Sequence, residues 1–165
     1  MNILVAGVGN LLRSDDAFGV EVANRLLERP TVNDVTIVET GIAGIQLVQE
    51  LQDGYDAIIV IDTVDRERAP GTVMTIDYEV IDVNALEHNE KYDLLADMHL
   101  ATPERSLMVA RALNVLPPIV KMVAVQPVDV DTMAIGMSEI VKNAVDVAIE
   151  EVDRCIALLQ SNELT

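Results

Sequence analysis

Three side chains in this sequence have the type and placement to hold a divalent cation: Asp16, Asp62 and His99. Two carboxylates and one imidazole make a usable donor set for a borderline ion such as zinc or nickel, with positions left open for water or substrate. Asp16 belongs to the stretch Gly7-Val8-Gly9-Asn10-Leu11-Leu12-Arg13-Ser14-Asp15-Asp16-Ala17-Phe18-Gly19. An apolar run, Ile3-Leu4-Val5-Ala6, leads into it, and Phe18, Val22 and Leu26 recur every four residues beyond it. The stretch therefore reads as the loop between a first strand and a first helix. Asp62 closes the apolar run Ala57–Ile61, and His99 stands just ahead of Thr102-Pro103. A capping threonine followed by proline at the first helical position is a helix start. Ligands of open α/β sheets bind outside the carboxyl ends of the strands, which is where these groups fall if the runs are strands.

Each of these residues also has a plainer reading. Ser14 or Asp15 is a natural cap for the first helix, and negative charge near a helix start is favoured by the dipole. Asp62 can close an Asx-type turn. His88 competes with His99 for the imidazole role, although its charged surroundings suit an exposed surface histidine. Gly7 and Gly9 match the first two glycines of a dinucleotide fingerprint, and Glu39 lies roughly where a ribose-binding acid is sought. Leu12 stands in place of the third glycine, and Asp15 and Asp16 would repel a pyrophosphate. A dinucleotide-binding Rossmann-like enzyme is nevertheless an alternative, as is a non-catalytic nickel chaperone.

The elements that must position these residues alternate along the chain. Strands are expected at Asn2–Val8, Val35–Val38, Ala57–Ile61, Thr72–Ile76 and Ile119–Val125. The third, apolar throughout, suits a central strand covered on both faces, and the fourth suits a position nearer an edge. Helices are expected at Asp16–Glu28, where Pro30 stops the pattern, from Ile45 to about Asp53-Gly54, at Pro103–Asn114, and at Ser138–Leu159. In the last of these Val141, Ala144, Val145, Ala148, Val152, Ile156 and Leu159 form one apolar stripe. Residues 77–98 are charged and irregular, as functional or mobile loops are. Another loop, Gln126–Gly136, carries Asp129 and Asp131. Alternating strands and helices give an α/β class with a mainly parallel, five-stranded sheet, in one domain spanning 1–165.

Of the 165 residues half are hydrophobic and only 2% aromatic, so the core must be aliphatic. A net charge of −17 argues against nucleic acid, whose phosphates need Lys and Arg, and against an anionic membrane surface. It suits a basic partner or a cationic ligand. No apolar run is long enough to span a bilayer, and the first residues lack a signal-peptide pattern. The single cysteine, Cys155, excludes an internal disulfide, fits a reducing cytoplasm and lies on the apolar side of the last helix, as a small buried hydrophobe would.

The sequence resembles the hydrogenase maturation endopeptidases, nickel-dependent proteases that process the large subunit of nickel–iron hydrogenases. The resemblance rests on the 7–19 stretch, Glu39-Thr40-Gly41-Ile42-Ala43-Gly44, Ile61-Asp62, Ala69-Pro70-Gly71-Thr72, His99-Leu100 and Gln126-Pro127. It implies a twisted sheet with helices on both faces. It also implies removal of a C-terminal extension from the hydrogenase large-subunit precursor after nickel insertion. The family's metal-contacting residues fall on Asp16, Asp62 and His99, which would serve as both metal and catalytic residues. Nickel would arrive with the substrate, with zinc or another divalent ion able to substitute. Two departures accompany it: Asp16 stands where many members have Glu, and Glu39 where many have Asp. No Ser/His/Asp or Cys/His nucleophile and no H-E-x-x-H motif is present.

Overall fold

A computed structural model describes residues 1–42, 44–85 and 102–161. Both histidines, His88 and His99, lie outside the described residues. The strands are β1 (Ile3–Val8), β2 (Val35–Gly41), β3 (Ala57–Thr63), β4 (Val73–Asp77) and β5 (Ile119–Val125). The helices are α1 (Phe18–Leu27), α2 (Gly44–Glu50), α3 (Pro103–Ala112), α4 (Glu139–Asn143) and α5 (Val145–Ser161). One sheet takes the order β2-β1-β3-β5-β4. The first four of these strands run parallel, and β4 pairs antiparallel with β5 at the edge.

Alternation along the strands divides the core between the two faces. Ile3, Val5, Ile59 and Ile61 point to the side covered by α1, α4 and α5, where they meet Phe18, Val22, Val145 and Val152. Leu4, Ala6, Ile58 and Val60 point to the other side and meet Leu47, Val48 and Leu51 from the α2 segment and Leu107 from α3. Residues 57–61 are fully buried, which is why β3 has no polar position before its end. Each such Ile or Val contributes roughly 1.5–3 kcal/mol when withdrawn from water. Cys155 is buried within the first of these layers, as expected of a structural thiol.

Glycine sets how closely α1 approaches the sheet. A Cβ on Gly7 would stand 2.2 Å from the Gly19 carbonyl oxygen, and one on Gly19 would stand 2.1 Å from the Ile61 oxygen and 2.2 Å from that of Val8. Gly7 and Gly19 thus let the start of α1 lie directly against β1 and β3. Leu12, at the third position of the broken fingerprint, is exposed and takes no part in this packing.

Four expectations need correction. Neither Ser14 nor Asp15 caps a helix: residues 14–17 form a 3-10 turn, α1 follows at Phe18, and neither start has a side-chain cap. The second strand continues through Glu39 and Thr40 to Gly41, because a register shift opposite Gly7 and Val8 accommodates one extra residue. The third helix ends at Ala112, short of Asn114, where the backbone turns to positive φ. The last apolar stripe is carried by two helices in tandem, α4 and α5, with Ala144 between them.

Candidate functional site at the carboxyl edge of β1 and β3

The chain passes from β1 outward to β2, then crosses back over β1 to form β3. The carboxyl ends of β1 and β3 therefore flank a topological switch point, where adjacent loops diverge and leave a crevice. A cavity of about 280 Å³ opens there. Asp16 and Asp62 both line it, together with Arg13, Thr63 and Glu104. The two carboxylates assigned from sequence are thus brought together. The third proposed ligand, His99, is outside the described residues.

The two aspartates are held by one neighbour. Thr63 donates its amide to Asp62 Oδ1 at 2.7 Å and its hydroxyl to Asp16 Oδ1 at 3.5 Å. The Asx-type turn expected of Asp62 does not form, because the Val64 amide donates to the Val125 carbonyl at 3.0 Å; the carboxylate is held at the pocket by the adjacent Thr63 amide instead. Burial pushes the Asp62 carboxyl well above the usual carboxylate range, the Thr63 amide opposes this, and the negative charges of Asp16 and Glu104 push it further up. Asp16 is half-buried, and its carboxyl is also raised by burial, against the opposing Arg13 charge and hydrogen bonds from Asn10 and Thr63. Two acids perturbed together in a cleft make a candidate functional site. Among the described residues, no group of three His, Cys, Asp or Glu could hold a metal ion. Three carboxylates, those of Asp16, Asp62 and Glu104, line the cavity.

Asp15 does something different from its neighbour. It is fully buried and accepts three backbone amides: Val128 at 2.8 Å, Asp129 at 3.1 Å and Ser138 at 2.7 Å. The loop after β5 is thereby drawn against the loop after β1. Ser14 N–H donates to the Ala134 carbonyl at 2.9 Å and Ala134 N–H to that of Leu12 at 3.0 Å. Ser14 itself adopts φ of +47°, at a cost of about 1–3 kcal/mol for a residue with a side chain. Asp15 and Asp16 leave this turn toward opposite destinations, one into the scaffold and one into the cavity.

Sequence reasoning missed Glu104 as a site residue, although its place in the first turn after Thr102-Pro103 was visible. Thr102 caps α3 by accepting the Arg105 amide, and that cap brings Glu104 to the cavity. The Gln126 side chain is structural: it accepts the amides of Arg66 and Arg68 at 2.8 and 3.2 Å and donates to Asp65 at 3.0 Å, pinning the 65–72 turn. Glu39 lies on β2 opposite Gly7, with its Oε1 near Gly41.

Comparison with known proteins gives a consistent result. Residues 20–154 match the family described as hydrogenase maturation protease. A Methanocaldococcus jannaschii protein named as a hydrogenase maturation protease is 31% identical over 160 residues, covering 90% of this chain and 92% of that protein. The hydrogenase 2 maturation protease of Escherichia coli is 30% identical over 154 residues, covering 92% of this chain and 88% of that one. The hydrogenase maturating endopeptidase HybD from E. coli superposes with a TM-score of 0.75 at 28% identity, over 98% of this chain and 94% of that chain.

Proposed function

The chain belongs to the hydrogenase maturation protease family, hydrolases acting on peptide bonds, and we propose that it removes a C-terminal extension from the nickel-loaded large-subunit precursor of a nickel–iron hydrogenase. The observation that carries this reading is the convergence of Asp16 and Asp62 on one cavity at the β1/β3 switch point. Nickel enters as part of the substrate. When bound, it supplies positive charge that anchors the precursor and polarises the scissile region.

The chain's own residues supply recognition and placement. Asp16 and Asp62 offer carboxylate oxygens to the precursor's nickel, and His99 offers a nitrogen. Thr63 holds both aspartates before substrate arrives, so little reorganisation is left to the encounter. Burial of Asp62 lowers the local dielectric and strengthens its attraction for a cation. Because burial raises both carboxyls, protons compete with a cation for them more strongly than for free aspartates. Water attacks the positioned peptide bond.

Incubation of the protein with nickel-loaded precursor, followed by intact-mass measurement, tests this. Loss of a C-terminal fragment only when nickel is present is the expected result. An unchanged mass with loaded precursor would contradict it.

A further inference from the structure

The loops around the acid cavity expose apolar side chains. Ile135 at 86%, Met133 at 71% and Ile45 at 66% are the most exposed large hydrophobic residues among those described, and all three lie in carboxyl-edge loops or in the helical turn that follows one. Leu11, Leu12 and Ile42 are also more than half exposed. Leu11 and Leu12 lie on the segment laced to Ala134, between Met133 and Ile135. Ile42 lines the cavity directly. Single exposed apolar residues are ordinary, but several on hydrogen-bonded neighbouring segments beside one cavity mark an interaction surface.

The cavity's charge selects the occupant. Asp16, Asp62 and Glu104 face it, and Arg13, the cation beside them, is also paired with Asp131 at 3.2 Å. A second copy of a chain carrying −17 would set like charges against one another. An uncharged apolar ligand would cover the carboxylates and leave them without a counter-charge. We infer that Leu11, Leu12, Met133, Ile135 and Ile42 form a docking rim for an apolar segment of a partner polypeptide that carries a cation into the acid cavity. The inference rests on the function proposed above, in which that partner is the nickel-loaded precursor.

The test compares the parent protein with the triple variant Leu12→Ser, Met133→Ser, Ile135→Ser, and with the control Leu27→Ser, Leu158→Ser on α1 and α5. Thermal unfolding, Kd for nickel-loaded precursor, KM and kcat are measured for each. The rim variant should keep its unfolding temperature and kcat while Kd and KM rise at least about tenfold, and the control should match the parent. Values of Kd and KM within about twofold of the parent overturn the rim. If the parent binds precursor without cleaving it, the proposed activity fails, whereas the rim still stands when the variant loses binding. If the parent cleaves and the variant cleaves with unchanged KM, the activity stands and the rim fails. Absence of binding by the parent, or a self-dimer that the rim variant disrupts, overturns the assigned occupant.

Discussion

The amide of Ser138 donates to the Asp15 carboxylate at 2.7 Å, across 123 residues of sequence. Ser138 is also the N-cap of α4, its side chain accepting the Val141 amide. One buried carboxylate thus ties the start of the last helical segment to the loop after β1, and through Val128 and Asp129 it holds the loop whose Val130 lines the acid cavity.

Removing that carboxylate leaves three part-buried amides without their acceptor. At about 1–3 kcal/mol for each unsatisfied buried group, Asp15→Ala should lose on the order of 3 kcal/mol or more of stability in urea unfolding. Asp15→Asn, which keeps one carbonyl acceptor, should lose less. Asp16→Asn, one residue along, should leave the unfolding midpoint close to the parent's. Equal losses at 15 and 16 would contradict this division of labour.

The Asp62 carboxyl sets a pH dependence with a definite sign. Its value in the folded state is raised well above 3.8, so the folded protein holds this proton more tightly than the unfolded chain does. Stability from this group is complete below the ordinary carboxylate value and falls as pH rises through the window up to the raised one. Asp62→Asn removes the buried charge and retains an oxygen for the Thr63 amide. The variant should therefore melt higher than the parent at neutral pH, and the advantage should vanish as pH falls below 3.8. A lower melting temperature at neutral pH would make Asp62 a structural cap instead.

Much of this fold is readable because local patterns suffice for it. The fully apolar run 57–61 marks a central strand, and Thr102-Pro103 marks a helix start that the Arg105 amide bears out. Asp62 was identifiable as a polar residue at the mouth of such a strand. The role of Asp15 was not, because its partners at Val128, Asp129 and Ser138 lie more than 110 residues away and nothing local separates it from Asp16. The break at Ala144 was equally hidden. Val141, Ala144, Val145 and Ala148 all face one core, and such a stripe is the same whether one helix carries it or two in succession. Family membership was legible in the ordered set of motifs, which residue chemistry alone reduces only to a candidate cation site.

Metal content offers a separate check. In the function proposed above nickel arrives with the precursor, so the enzyme itself needs no resident ion. Protein purified without added metal should contain well below one ion per chain by elemental analysis. A full, chelator-resistant complement of zinc would favour an intrinsic metalloprotease over recognition of nickel in the substrate.

The most direct measurement is cleavage of nickel-loaded precursor by Asp16→Asn, Asp62→Asn and His99→Ala, with Cys155→Ser and His88→Ala as controls and folding verified by thermal unfolding. The amide substitutions remove charge with almost no change in volume. The first three should remain folded and lose at least about a hundredfold in kcat/KM, near 2.7 kcal/mol of transition-state stabilisation, while both controls process the precursor at close to the parent rate. Folded Asp16→Asn and Asp62→Asn proteins that cleave at near-parental rates would contradict it.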